Sequence, residues 1–257
     1  MESTIKGVVL SGGHATRLGE ITRITNKHLL PIADYPMIYY PLKALEQANI
    51  KEVCIISGKE HAEQFIALLG DGKVTDRCGK QVFDLDLTYR MQARPGGISE
   101  AISLARNFAH GDKLVVFLGD NIIEGNIRSY VQKFSHQLRG ARILLREVEN
   151  PNAYGVPSFD DDKNIIAIDE KPAHPKSNFA VIGVYMFDWQ VFEFIDSIKP
   201  SARGELEVTD LLNQYIKNSR LEYDILEGWW RDAGQSPKEL SEISQLIYQT
   251  GVNKLSL

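Results

Sequence analysis

The sequence predicts an α/β fold: a mostly parallel sheet with helices on both faces, joined in the second half to an antiparallel part. Over the first 150 or so residues, short apolar runs that end at glycine or aspartate turns alternate with stretches of helical spacing. Parallel neighbours need such crossovers, and strands covered on both faces read as unbroken apolar runs. After about residue 150, three strand-like runs follow one another too closely for a helix between each pair.

Each element rests on a local pattern. Residues 5–10 form an apolar run closed by the turn Ser11-Gly12-Gly13, which predicts a buried strand. Over residues 36–48, Ile38, Leu42, Leu45 and Ala48 recur at helical spacing. A β-branched run at 53–57 before Gly58 predicts a second strand, residues 61–69 a helix, and the alternation of 85–91 a third strand. Residues 99–108 read as one helix, with Ile102, Ala105 and Arg106 in phase. A strand over 114–118 ends at Gly119-Asp120-Asn121, followed by a helix over 127–138 and a strand over 141–147. The later runs, 154–159, 165–169 and 181–187, are parted by turn formers such as Asp160-Asp161-Asp162 and predict an antiparallel insertion. Helices are expected at 191–198, 207–218 and 240–248. The expected organisation is one domain of 257 residues, with one part to about 150, another from about 151 to 240, and a C-terminal helix.

Composition narrows the function. Hydrophobic residues make up 43% and charged residues 25%, which excludes a disordered or collagen-like chain. A net charge of −5 gives no overall basic field, so no nucleic-acid partner is expected. Cys54 and Cys78 lack paired spacing, which excludes a disulfide framework or zinc ribbon and fits a reducing compartment. The six histidines show no metal-ligand spacing, and His28, beside Lys27, is the one placed for a phosphate or base contact. The N-terminus is polar, and no apolar run approaches the ~18 residues of a membrane span. A cytoplasmic protein with no membrane partner is expected.

In open parallel sheets, ligands sit beyond the carboxyl ends of the strands. Two such ends carry unusual chemistry here, residues 11–18 and 119–121. Gly12 and Gly13 let backbone N–H groups approach an anion, and Arg17 and Lys27 add cations suited to phosphate oxygens. Together they suggest a polyphosphate cradle. Neither the Gly-Lys-Ser/Thr ending of a P-loop nor G-x-G-x-x-G is present. On spacing alone, an ordinary strand-to-helix turn with a solvent-facing Arg17 fits equally well.

Residues 12–18 with 26–31 resemble the signature GGxGTRLxPxT…K.LLP of the sugar-1-phosphate nucleotidylyltransferases, nearest their glucose-1-phosphate thymidylyltransferase branch. The resemblance continues in order through 34–41, 118–121, Tyr154-Gly155-Val156, Glu170-Lys171-Pro172, Lys176-Ser177-Asn178, 200–210 and 230–234, and covers roughly residues 5 to 245. It implies a Rossmann-like sheet of the nucleotide-diphospho-sugar transferase type, in which the antiparallel insertion binds sugar. It also implies transfer of a nucleotidyl group from dTTP or UTP to glucose-1-phosphate, an Mg²⁺ cofactor, a homo-oligomer, and a place in deoxysugar or polysaccharide synthesis. A sugar-1-phosphate is already an anion near neutral pH, so no general base is needed, which fits the lack of an obvious catalytic His or Cys. The burden is electrostatic and falls on cations and a metal.

The same resemblance distributes the roles. Arg17, Lys27, Asp120 and Lys171 are the implied catalytic residues, and Asp120 and Asp232 the implied Mg²⁺ ligands. Leu10, Gly12, Gly13, Gln92 and Gly97 fall to the nucleotide, with Gln92 on the pyrimidine edge. Asn121, Gly155, Glu170, Lys171 and Val181 fall to the sugar, with Glu205 reinforcing that wall. Taken singly, Asp120 reads as a turn former, Asp232 as half of a local ion pair with Arg231, and Gln92 as an exposed strand end.

The chain departs from the family pattern at Ala15 for Gly, Gly96 for Asp, Glu100 for Gln, Arg231 for a smaller residue, Ala233 for Thr, and Gln235-Ser236 for Thr-His. It also stops short of the helical segment that, in longer relatives, belongs to a regulatory nucleotide-sugar site. Two alternatives stay open: another nucleotide or sugar-1-phosphate pairing, and an inactive nucleotide-sugar-binding paralogue.

Overall fold

The computed structural model describes residues 4–13 and 16–250. The chain begins with β1 (Ile5–Ser11), whose Val8 and Val9 are fully buried. A short ribbon of β2 (Pro31–Ile32) and β3 (Tyr35–Pro36) leads into α1 (Tyr39–Gln47) and β4 (Glu52–Gly58). Then come α2 (Ala62–Leu69), a hairpin of β5 (Lys73–Thr75) and β6 (Gln81–Asp84), and β7 (Asp86–Gln92). α3 (Ile98–Ser103), α4 (Arg106–Ala109), β8 (Lys113–Leu118) and β9 (Asn121–Ile123) precede α5 (Arg128–His136) and β10 (Ala141–Glu147). The second half holds β11 (Gly155–Phe159), β12 (Ile165–Glu170), β13 (Phe179–Phe187), α6 (Val191–Ser197) and α7 (Val208–Lys217). It closes with β14 (Leu221–Ile225), β15 (Trp230–Asp232) and α8 (Pro237–Thr250).

Seven strands form the main sheet in the order β14-β10-β13-β8-β1-β4-β7. β1 pairs parallel with β4, β4 with β7, and β10 with β14, while β13 runs antiparallel to β10. This is the mostly parallel α/β sheet expected from the sequence.

Three expectations need correction. The helix expected over 99–108 is two helices. Leu104 N bonds to Ala101 O at 3.1 Å and Ala105 N to Ile102 O at 3.0 Å, and these tight i to i−3 bonds break the helical run. The last of the three late strands belongs to the main sheet, where β13 is buried along nearly its whole length, as a strand covered on both faces is. The antiparallel insertion therefore reduces to the β11–β12 ribbon. β14, unforeseen, is an edge strand whose Leu221-Glu222-Tyr223-Asp224-Ile225 alternates apolar and polar residues, the period of a half-covered strand.

The chain divides into two compact units, neither of them continuous in sequence. One comprises the described residues of 6–95, 117–129 and 227–250. Its core includes Ile32, Met37, Tyr40, Ile122, Ala233, Ile243 and Ile247, so α8 docks through a helical i, i+4 pair. The other holds 96–116 and 130–226 with the first residues of the chain. In its core, Tyr215 lies 4.7 Å from Phe194 edge-on and 5.7 Å from Phe187 stacked, and its hydroxyl donates to Asp188 Oδ1 at 3.0 Å. Among the described residues no helix is long and apolar enough to cross a membrane.

Candidate active site

In the first unit, strand pairing brings distant acids together. β9 and β15 are antiparallel, with Asn121 opposite Asp232 and Ile123 opposite Trp230. Ala233 N donates to Asp120 O at 2.8 Å, which fixes the loop after β15 against the loop before β9. Asp120 and Asp232 thus meet although 112 positions apart in sequence, 232 − 120. Arg231 points away and pairs with Glu239 at 3.5 Å, so Asp232 is not half of a pair with its neighbour. Ala233 is wholly buried in the apolar cluster, where the hydroxyl of the usual Thr would need a partner.

Lys27 comes to the same place through Asn26. The Asn26 side chain accepts from His28 N at 2.9 Å, capping the turn Lys27–Leu29, and donates to Ser11 O at 3.0 Å at the end of β1. From that turn Lys27 Nζ reaches Asp120 Oδ2 at 2.5 Å, with both side chains mostly buried. His28 is not placed for phosphate or base. It is 1% exposed, its Nδ1 lies 2.6 Å from Asn26 Oδ1, and burial together with the Lys27 charge lowers its pKa to about 3.

The electrostatics follow from this packing. Burial alone would lower the Lys27 pKa, but the Asp120 charge and hydrogen bond, with Asp232 beyond, raise it. Burial alone would raise Asp120. Lys27, the field of His28 and hydrogen bonds from Lys27 and Asn121 hold it well below the usual carboxylate range. Asp232 goes the other way: burial and the neighbouring Asp120 charge push it up to about 6. One cation thus faces two carboxylates, and the second carboxylate is left undercompensated.

Gly234 lies against the whole cluster. A Cβ there would stand 2.6 Å from Asp120 Oδ2, 2.9 Å from Lys27 Nζ and 3.2 Å from Asp232 Oδ1. A side chain at 234 would fill the place where two carboxylate oxygens converge. Two carboxylates suit Mg²⁺, which takes one or two from a protein and completes its shell with phosphate oxygens and water. The described residues contain no group of three or more His, Cys, Asp or Glu set for a metal.

Around this centre stand the other nucleotide-side residues. Arg17 is exposed and donates to Gln235 Oε1 at 2.8 Å, and Gln235 Nε2 donates in turn to Asp232 Oδ2. Leu10 is buried in β1, and Gly13 follows with φ +95°, a conformation that favours glycine. Gln92 closes β7, where it is 9% exposed rather than an exposed strand end, with its Oε1 3.3 Å from the place of a Cβ on Gly12. A cavity of about 300 Å³ is lined by Gly13, Asn26, Lys27, Lys59, Gln92 and Arg94, among others. Ala15 lies outside the described residues. Asn121, expected at a sugar hydroxyl, uses both ends of its amide internally: Trp230 Nε1 donates to its Oδ1 at 2.7 Å, and its Nδ2 donates to Asp120 Oδ1 at 3.0 Å.

The second unit gathers the remaining residues. Gly155 pairs with Glu170 across the β11–β12 ribbon, and Val181 Cβ lies 3.8 Å from the place of a Cβ on Gly155. Lys171 N bonds to Tyr154 O at 2.9 Å, and Lys171 adopts φ +45°, the left-handed region that lysine seldom occupies. Its Nζ lies 3.3 Å from Glu170 Oε1, and Arg203 reaches the same oxygen at 3.5 Å. Glu205 is 3.9 Å from Arg203. Gly97, expected at the base, has a structural reason to be glycine: at φ +96° its Cβ would stand 2.5 Å from Leu206 O. Glu100 Oε2 lies 1.5 Å from the place of a Cβ on residue 96, so a side chain there would need the Glu100 carboxylate to swing aside.

The sequence set Arg17 and Lys27 on the phosphates and Asp120 and Asp232 on a metal, and it gave no role to Asn26, Trp230 or the bridging Gln235. The substitution of Gln235 for the usual Thr was the visible signal for the last.

Residues 6–250 match the nucleotidyl transferase family. A low-salt glycan biosynthesis nucleotidyltransferase of Haloferax volcanii is 37% identical over 95% of this chain and 66% of its own length. A glucose-1-phosphate thymidylyltransferase of Neisseria meningitidis is 39% identical over 90% of this chain and 78% of its own. Among known structures, a Bacillus anthracis protein assigned provisionally as a glucose-1-phosphate thymidylyltransferase, crystallised with a sucrose, is 44% identical. It superposes with a TM-score of 0.87 and covers 95% of both chains. A UDP-glucose pyrophosphorylase bound to UDP-glucose shares the fold at a TM-score of 0.83, 22% identity and 96% coverage of this chain and 99% of its own.

Proposed function

The chain belongs to the nucleotidyl transferase family, and from that premise we propose that it transfers a thymidylyl group, or a uridylyl group in its place, to glucose-1-phosphate. The observation that carries this reading is the Asp120–Lys27–Asp232 cluster converging on Gly234. A phosphate oxygen of the sugar-1-phosphate attacks the α-phosphorus of the triphosphate. The bond to the β-phosphate oxygen breaks, and pyrophosphate leaves with the electron pair. Relatives named for this activity cover most of the chain.

Each role follows from charge and reach. The nucleophile arrives ionised, so no side chain takes its proton. Arg17 and Lys27 offset the charge that grows on the departing pyrophosphate. Lys171 holds the sugar phosphate as a point charge, and Glu170 accepts from sugar hydroxyls. Gln92 both donates to and accepts from a pyrimidine edge. Asn121 orients Asp120. Asp120 and Asp232 would hold Mg²⁺, which when bound neutralises the phosphate oxygens.

The test is pyrophosphate release from a panel of nucleoside triphosphates crossed with sugar-1-phosphates. Turnover with dTTP or UTP and glucose-1-phosphate is expected. Binding of these ligands without pyrophosphate release from any pair would refute the reading in favour of a binding protein.

A further inference from the structure

We propose that Gln235 is a positioning residue that holds Arg17 ready for the triphosphate, an inference that rests on the nucleotidyl-transfer reading above. Its amide joins two residues that the sequence assigns to separate tasks. Oε1 accepts from Arg17 Nη1 at 2.8 Å, and Nε2 donates to Asp232 Oδ2. The bridge is anchored on its far side. Gly234 N donates to the other Asp232 oxygen at 2.9 Å. Immediately after it, Ser236 accepts from Glu239 N at 3.1 Å and so caps the start of α8, whose Ile243 and Ile247 are buried in the core. Gln235 is therefore held at both ends, whereas Arg17 is an exposed side chain on a short 3-10 segment, Thr16–Thr22, kinked at Gly19.

An exposed arginine loses much rotamer freedom when a ligand immobilises it, and holding it beforehand removes part of that cost. The neutral amide suits this task better than a carboxylate. A direct Arg17–Asp232 ion pair would have to break before either group met its ligand. An amide between them gives Asp232 an N–H and Arg17 a carbonyl, and Arg17 can exchange that carbonyl for the stronger charge-assisted bond to a phosphate oxygen. The threonine usual at this position is too short to reach both partners.

The test is a double-mutant cycle read by binding as well as turnover. Calorimetry with the α,β-methylene analogue of dTTP measures affinity for wild type, Gln235→Ala, Arg17→Ala and the double variant. Gln235→Met, of equal length and without the two hydrogen bonds, controls for packing, and thermal midpoints control for folding. Gln235→Ala and Gln235→Met are each expected to weaken the analogue about 3–10-fold and to raise the triphosphate KM by a similar factor, with kcat within about twofold. In the Arg17→Ala background, loss of Gln235 should add nothing. Unchanged affinity in both Gln235 variants, or a full further loss on top of Arg17→Ala, would overturn the proposal. A wild type that binds the analogue but releases no pyrophosphate would sink the proposed reaction alone, because the binding cycle would still decide the role of Gln235. A wild type that binds no analogue would sink both.

Discussion

Two clusters of charge assigned to phosphates and sugar are built in opposite ways. Lys27, Asp120 and Asp232 are packed where strand pairing, a capped turn and a glycine leave them little freedom, with Lys27 and Asp120 side chains 15% and 13% exposed. Glu170 ends β12 and Lys171 and Arg203 lie on turns, joined in longer contacts of 3.3 and 3.5 Å, with Lys171 and Arg203 side chains 38% and 48% exposed. The first cluster is an electrostatic centre whose members set one another's protonation. The second is a more exposed network in which Lys171 and Arg203 share one Glu170 oxygen and Arg203 is held on Glu207 at 2.9 Å. A buried charge binds stability to function, whereas an exposed charge can serve function alone.

The largest test of this contrast removes the acids. Asp120→Asn and Asp232→Asn should each lower turnover by about 10²–10⁴. The double variant should be hardly worse than either single one, because both residues serve one ion. Additive losses, or full activity of the wild type in EDTA, would separate the two acids. Next, Lys27→Ala should cost about 3 kcal/mol or more in urea unfolding, since it leaves Asp120 buried and unpaired. Lys171→Ala should change stability by less than about 0.5 kcal/mol while raising the sugar-phosphate KM. Equal stability losses at the two lysines would erase the distinction.

The acids can also be set apart by pH. The Asp232 pKa is raised in the folded protein to about 6 by burial and Asp120. Between its ordinary value and 6, the unfolded chain has released this proton and the folded one keeps it, so this group's contribution to stability falls as pH rises. Asp232→Asn in metal-free buffer should therefore gain stability relative to wild type across that window, by at most about 3 kcal/mol. His28 acts in the opposite direction: neutral in the fold, it contributes stability at neutral pH that is lost as pH falls from about 6.5 toward 3. A flat difference between wild type and Asp232→Asn would mean that Asp232 is ionised throughout. The smallest expected effect is at the base. Gln92→Ala should raise the KM for dTTP and UTP alike by about tenfold, the cost of one unpaired buried group, and leave purine triphosphates as poor substrates.

Much of the nucleotide side was legible because its residues lie at strand ends and in short motifs, where local pattern and chemistry coincide. Apolar runs followed by Gly12-Gly13 and by Gly119-Asp120-Asn121 marked the strands β1 and β8, and the candidate site was read at their ends from the resemblance. Non-local facts were not legible. Nothing near Asp232 shows that β15 pairs with β9, and Arg231 beside it suggested an ion pair that the alternation of the strand prevents. β13 reads like its neighbours in the ribbon, and only burial on both faces reveals it as a sheet strand. His28 next to Lys27 looked like a ligand contact, but a turn sends adjacent side chains opposite ways, and the histidine goes inward.

The left-handed backbone of Lys171 has an evolutionary consequence. Holding a non-glycine residue at φ +45° costs on the order of 1 kcal/mol, which Gly or Asn would recover. A lineage screened only for folding and abundance would therefore drift toward glycine or asparagine at 171. Under the role proposed above, lysine would be kept at 171 against that drift by its charge on the sugar phosphate.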